Sequence, residues 1–439
     1  MIGAQHRHGP SYRAAVEYAQ QHPEEVAAEI AADWRYSLIL NKDGGPRALL
    51  ANALTALRHA PEWDGVLAFN EFSLGILTLK PAPWDGAPAR TEWTDNDDRL
   101  AANWLQEQDI FVSVEIAGQA VQSVAKERPF HPVREYLESV KWDGAKRIDA
   151  WLGRYLGAEQ NDYTAAVGAR WLISAVARIY QPGAKADCCL ILEGPQGLKK
   201  STALRTIADP WFTDEIADLG SKDAAMQTRG VWVIEIAELD SMTRGEVSKI
   251  KAFMSRSTDR FRPPYGRRLV ESPRQCVFAG SINLETWNRD ETGARRFWPV
   301  ACTHILIDDL ARDRNQLWAE AVAQYRGGSP WWLDSVKLNK QAEQEQANRY
   351  EGDPWDDLIA PWVEQPSDRY DSTGHPLQPF TSTRDSVTVV DVLNHCIGKR
   401  QDQWTQADKN RVARSLRALG WARYRERSGK DLEWRYRRK

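Results

Sequence analysis

The chain has 439 residues, a formal net charge of −3 and 42% hydrophobic residues, enough apolar content for several buried cores and two to four domains. No run approaches the ~20 consecutive apolar residues of a membrane span, and the opening MIGAQHRHGPSYRAAVEYAQ lacks the apolar centre of a secretory leader, so a cytoplasmic protein without a membrane anchor is expected. The near-neutral balance excludes a chain-wide electrostatic footprint for nucleic acid, leaving any such binding to local basic patches.

Residues 1–125 alternate helical stretches with strand-like runs such as GVLAFNEFSLGILTL (65–79), followed by the loop PAPWDGAPARTEW (81–93), and read as an accessory α+β domain. No acidic cluster or metal-ligand set in this stretch suggests a primase centre, so priming, if it is needed, would fall to a separate primase or replication initiator. Trp-Asp-Gly recurs at 63–65, 84–86 and 142–144, but the unequal spacing reads as turn punctuation with an aromatic anchor rather than a repeat. Residues 126–185 form a helical lead-in, with apolar residues three and four apart through HPVREYLESVKWDGAKRIDAWLGRYLG and DYTAAVGARWLISAVARIY. Five cysteines, Cys188, Cys189, Cys276, Cys302 and Cys396, show no C-x-x-C spacing and read as reduced packing residues.

At ADCCLILEG (186–194) the period changes to a buried strand, and the following residues complete EGPQGLKKST (193–202) before a helical stretch. This is nearly the phosphate loop G-x-x-x-x-G-K-[ST], in which backbone N–H groups and a helix N-terminus face phosphates, a lysine adds charge and a hydroxyl holds Mg²⁺. The ATP-binding set is Gly194, Pro195, Gln196, Gly197, Leu198, Lys199, Lys200, Ser201 and Thr202, with Lys200 catalytic and Ser201 on Mg²⁺. Lys199 stands where the pattern has glycine; a non-glycine serves there with a helical φ/ψ and its side chain turned away, and Gly197 supplies the loop's freedom. Taken alone, the same residues also fit a plain strand–turn–helix with a solvated lysine pair.

Two further buried-strand runs follow. GVWVIEIAEL (230–239) places Glu235 as a Mg²⁺ carboxylate and Glu238 to orient or deprotonate an attacking water, although an exposed glutamate pair fits too. RQCVFAGSIN (274–283) ends in Asn283, suited to sensing a γ-phosphate or simply closing a strand-end turn. Within DETGARRFWPV (290–300), Arg295 and Arg296 lie between a glycine turn and an apolar strand, as an arginine finger reaching a neighbouring subunit's phosphate would, or as a surface pair.

GPQGLKKST, WVIEIAELD, FRPPYGRR, GSIN and GARRFWPV in this order resemble the virulence-associated protein E family of phages and prophages, whose ATPase domain is similar to superfamily 3 helicases of the AAA+ class. The likeness covers roughly residues 120–350, with NEF (70–72), PW (83–84) and HPVREYL resembling the preceding segment. It implies a P-loop ATPase core at 186–350 that assembles into a ring, hexameric by expectation, with ATP at subunit interfaces and DNA in the pore. In such a ring DRFRPPYGRRLVES (259–272) occupies the place of a pore hairpin, with Arg262, Arg267 and Arg268 toward phosphates and Tyr265 stacking on a base. Lys199 is the departure from the family's usual glycine.

After a linker at 351–386, residues 387–439 outline a basic winged-helix-like domain of helices and two short strands joined by RSGKD. Arg411, Arg414 and Arg417 share a helical face by their three-residue spacing and are candidates for DNA contact; such modules also bind proteins. The expected fold is therefore α/β: an AAA+-type P-loop core between an N-terminal α+β domain and a C-terminal winged-helix-like domain. The expected activity is an ATP-dependent DNA helicase or translocase, with a nucleotide-gated DNA-binding initiator or scaffold as the competing reading. A nucleoside kinase explains neither the arginine pair nor the basic C-terminus.

Overall fold

The computed structural model describes residues 33–84, 86–215, 222–237, 244–262, 269–283, 294–349, 353–364, 369–370, 376–377, 385–428 and 431–438. In the N-terminal part, helices α1 (Leu50–His59), α2 (Asp95–Glu107) and α3 (Val114–Lys126) pack around strands β1 (Leu67–Asn70), β2 (Gly75–Thr78) and β3 (Pro129–Phe130). Thr94 and Asp97 close a reciprocal capping box on α2, and Asp95, Asp97 and Asp98 face its positive end. Ala101, Ala102, Ala117, Ala120 and Ala125 are buried, and such small residues let the helices approach closely. Trp63 sits at the hub of an aromatic cluster, its ring 5.9 Å from Trp84, 6.2 Å from Trp93 and 5.5 Å from Trp104. Two of the three Trp-Asp-Gly turns thus share one cluster, while Trp142 of the third donates instead to the Ala145 carbonyl. β3 pairs parallel with β1, so residues 129–130 of the stretch expected as a helical lead-in complete this sheet.

The central part is a mixed α/β arrangement around a parallel sheet. Its elements are α4 (Pro132–Ser139), α5 (Trp151–Leu156), α6 (Asp162–Tyr180), β4 (Cys189–Glu193), α7 (Lys200–Ala208), β5 (Phe212–Thr213), α8 (Lys222–Gln227), β6 (Val233–Ala237) and α9 (Arg244–Met254). The hairpin β7 (Thr258–Phe261) and β8 (Val270–Pro273) follows, then β9 (Val277–Ile282), β10 (Phe297–Ala301), α10 (Ile307–Arg326) and α11 (Val336–Asn348). The sheet order is β10-β4-β9-β6-β5 and every neighbouring pair is parallel. β4 is buried throughout because helices cover both faces, which is why its sequence is a continuous apolar run. Its alternation survives in the packing: Leu190 and Leu192 join the core of α6, α7 and α10, whereas Cys189 and Ile191 join that of α9. Three fully buried indoles find backbone acceptors, Trp171 at Phe278, Trp232 at Ala175 and Trp318 at Ile207. These satisfied N–H groups let each ring contribute its apolar burial without the cost of an orphaned donor.

The N-terminal part docks through the NEF turn. Asn70 accepts from the Phe72 and Ser73 amides, Phe72 enters the central core, and the Phe72 carbonyl accepts from Gly230. At the C-terminal end, α12 (Asp356–Glu364) buries Ile359 and Val363, so part of the expected linker is a packed helix. The pair β11 (Arg369–Tyr370) and β12 (Pro376–Leu377) precedes α13 (Val389–Asp391), α14 (Gln406–Ala418) and the hairpin β13 (Trp421–Ser428) and β14 (Asp431–Arg438). Val412, Leu416, Trp421 and Tyr436 close this third core, and the two final strands have eight residues each, longer than the sequence suggests. Among the described residues no helix is long and apolar enough to cross a membrane.

Candidate functional site

The carboxyl ends of β4, β9 and β6 lie side by side, with Glu193 in register with Ile282 and Ala237 with Ser281. β4 leads into the glycine loop and α7, the strand–loop–helix order that the sequence predicts. Gly194 has φ +150°, and a Cβ there would meet the Cys302 carbonyl and Leu198 at 2.8 Å, so only glycine fits. Lys199 has φ +68°, in the left-handed region. This corrects the expected helical conformation: the backbone keeps the shape that glycine adopts freely, and lysine holds it at a cost of about 1 kcal/mol. Among the described residues no side chain caps α7 and no acid lies in its first turn, so its positive dipole end suits an anion.

Lys200 is 6% exposed, and its Nζ donates to the Gly194 carbonyl at 2.6 Å, the Pro195 carbonyl at 2.9 Å and Asn283 Oδ1 at 3.0 Å. Two residues 83 positions apart are thereby brought together at the loop. Beside them Ser201 Oγ donates to Glu235 Oε1 at 2.7 Å, and Ser281 Oγ donates to the same oxygen at 2.6 Å. Glu235 is 2% exposed and its Oε2 is buried with no hydrogen-bond partner among the described residues. A desolvated carboxylate oxygen next to a serine hydroxyl suits a hard cation that takes one or two carboxylates and completes its shell with phosphate and water. Among the described residues no group of three or more His, Cys, Asp or Glu side chains would hold a metal unaided. The buried Glu235 oxygen and the Ser201 hydroxyl fit Mg²⁺ held together with phosphate. A cavity of about 470 Å³ adjoins the loop, lined by Lys199, Thr202 and residues 305–309. That volume is within the range of small-ligand sites.

Ser281 and Glu193 escape the sequence reading. Ser281 differs from any strand serine only by its register against β6. Glu193, 5% exposed, is gripped by Arg349, whose Nε lies 3.1 and 3.0 Å from the two carboxylate oxygens and whose terminal nitrogen lies 2.9 Å from one. The end of α11 is thus clamped onto the residue preceding the loop.

The arginine pair separates. Arg296 Nε lies 3.5 Å from Asp187 Oδ2 within its own chain, whereas Arg295 is exposed at the start of β10, an edge strand. β7 and β8 pair as a hairpin, anchored by the buried Arg274–Asp259 ion pair at 2.6 Å, and Arg262 is exposed beyond β7. Tyr265, Arg267 and Arg268, between β7 and β8 in the sequence, and Glu238, which follows β6, lie outside the described residues.

On α14, the expected shared basic face is divided. Arg411 Nε donates to both Asp353 oxygens at 2.7 Å and its guanidinium lies 4.0 Å from the Trp355 ring centroid. Arg414 is half-buried and Arg417 is exposed. An arginine committed to a buried carboxylate and an aromatic ring is withdrawn from phosphate contact, so Arg411 leaves the DNA-contact set.

A parallel α/β sheet bearing a glycine loop, a buried lysine and a serine–carboxylate pair at its strand ends defines the class of the central part. Residues 137–351 belong to the virulence-associated protein E-like domain family. Among solved structures, the apo C-terminal region of NrS-1 (305–718) is similar at 14% identity and TM-score 0.39, over 69% of this chain and 77% of that one. Its A form is similar at 16% identity and TM-score 0.35, over 65% and 66%. No curated protein matches the chain.

Proposed function

We propose that this chain is an ATP-dependent DNA helicase or translocase of a phage or mobile element, acting in replication as a hexameric AAA+ ring of the superfamily 3 type in the cytoplasm. The observation that carries the reading is the joined network of Lys200–Asn283 and Ser201–Glu235–Ser281 at the N-terminus of α7. In this reading the α7 amides and Lys200 hold the ATP phosphates, Asn283 senses the γ-phosphate through the lysine it contacts, and Glu238 orients the attacking water. Ser201 and Glu235 would hold Mg²⁺, which when bound neutralises charge on the phosphate oxygens. Arg295 serves as the finger toward a neighbouring subunit, a role worth about 10³–10⁵ in rate where it operates, while Arg296 positions the turn through Asp187. Arg262, Tyr265, Arg267 and Arg268 contact the strand in the pore, and the winged-helix-like C-terminal part makes further DNA contacts through Arg414 and Arg417.

The lysine that stands in place of glycine at position 199 motivates one second reading, a nucleotide-gated initiator or scaffold with weak turnover. Steady-state ATP hydrolysis with and without single-stranded DNA separates the two. Turnover that DNA stimulates, and that Lys200→Ala abolishes, supports the motor. Nucleotide binding without turnover above the Lys200→Ala blank would replace it with the scaffold.

A further inference from the structure

The register of β13 and β14 sorts their side chains onto two faces of opposite character. Tyr424, Glu426, Glu433, Arg435 and Arg437 share one face, where Arg435 lies 3.2 Å from both Glu426 and Glu433 and neutralises them locally. The other face carries Trp421, Arg423, Arg425 and Arg427 opposite Arg438, Tyr436, Trp434 and Leu432, with no acidic residue. At its base Trp421 and Tyr436 are buried in the C-terminal core and Arg438 pairs with Glu364. Beyond that core the same face continues into solvent. Trp434 is 42% exposed and Leu432 64%, and Arg423 and Arg425 lie 3.8 and 4.5 Å from the Trp434 ring centroid. Among the described residues no carboxylate forms an ion pair with Arg423, Arg425 or Arg427.

An exposed aromatic flanked by unneutralised arginines at every second position is a costly surface for a soluble chain unless something covers it. Its charge calls for a polyanion, and its tryptophan and leucine call for flat apolar surface within reach of that charge. Duplex DNA offers the first and hides the second in its stack. A single strand offers both, phosphates for the guanidiniums and unstacked bases for the ring. We propose that this hairpin face is a single-stranded DNA site, with Trp434 as a stacking platform and Arg423, Arg425 and Arg427 on successive phosphates. The site is separate from the ATP loop; only the choice of DNA over RNA rests on the function proposed above.

The test is fluorescence anisotropy of labelled oligo(dT), oligo(rU) and a duplex of equal length, titrated with the full chain across a salt series. Trp434→Ala should weaken oligo(dT) binding on the order of 10-fold, as expected for one lost stacking contact, and Trp434→Phe should retain it within about 3-fold. Changing Arg423, Arg425 and Arg427 together to alanine should flatten the slope of log K against log salt by about 2, at about 0.7 per phosphate on a single strand. Neither variant should alter DNA-free ATP turnover, and Lys200→Ala should leave oligo(dT) affinity in place, so failure of the ATPase reading and failure of this site are distinguishable. Unchanged affinity in Trp434→Ala, an unchanged salt slope in the triple variant, or tighter binding of duplex or oligo(rU) than of oligo(dT) would each overturn the proposal.

Discussion

Arg349→Ala should be among the most damaging single changes outside the loop itself. The guanidinium makes three contacts of 2.9–3.1 Å to the Glu193 carboxylate, with the two side chains only 14% and 6% exposed. It also donates to the carboxylate of Glu345, so one cation serves two acids. Removing it strands buried negative charge, for which the typical cost is about 3–5 kcal/mol; the pair's own net contribution is much smaller, because both ions were desolvated to form it. Substitutions at Arg349 and Glu193 should therefore be strongly non-additive. Arg349→Met with Glu193→Met should sit within about 1–2 kcal/mol of the parent, although each single change costs more. Urea unfolding followed by tryptophan fluorescence, run as a double-mutant cycle on the central transition, measures the coupling. An Arg349→Ala variant within about 0.5 kcal/mol of the parent would refute the argument that this pair is desolvated and mutually dependent.

Other perturbations have equally definite outcomes. Lys199→Gly should stabilise the chain by up to about 0.5 kcal/mol, since relief of the left-handed backbone slightly exceeds the added freedom of the unfolded chain, and Lys199→Ile should destabilise it. A loss of stability in Lys199→Gly measured by the same urea assay would show that the lysine side chain, not its backbone, dominates there. His131, at the seam between the N-terminal and central parts, hydrogen-bonds Gln275 at 2.6 Å and stacks near Phe72. Burial lowers its pKa, Arg134 adds to that, and the Gln275 bond and Glu71 oppose it. The imidazole therefore protonates less readily in the folded chain than in the unfolded one. Its contribution is complete above the unfolded pKa of about 6.5 and is lost as pH falls below it, by at most about 1.4 kcal/mol per pH unit. Urea midpoints of the parent should therefore fall more steeply than those of His131→Gln between about pH 7 and about pH 5, and parallel curves would remove His131 as a cause.

Strand β4, the glycine loop and α7 were readable from ADCCLILEGPQGLKKST because each is set by local rules. A strand buried on both faces must be apolar throughout, and a loop that bends sharply must carry glycine. For the same reason Glu235 and Asn283 stood out, as polar residues at the ends of apolar runs with few other tenants for those positions. Ser281 did not, because a serine becomes a partner of Glu235 only when β9 is laid parallel to β6 in one particular register.

Long-range pairing decided the remainder. Arg295 and Arg296 are chemically identical in the chain, and only the position of Asp187 at the entry to β4 ties one of them down. Arg411, Arg414 and Arg417 share a helical face by spacing, yet Asp353, 58 residues away, takes the first of them. The two faces of the final hairpin likewise follow from which residue of β14 lies opposite which residue of β13. Apolar period, glycine and strand-end polarity are properties of neighbours along the chain, so the sequence by itself determined the core's elements and the loop's chemistry. The partner of a charge is chosen by whatever the fold brings within about 4 Å, and only the tertiary structure decided which charges are spent inside the molecule and which are left to act outside it.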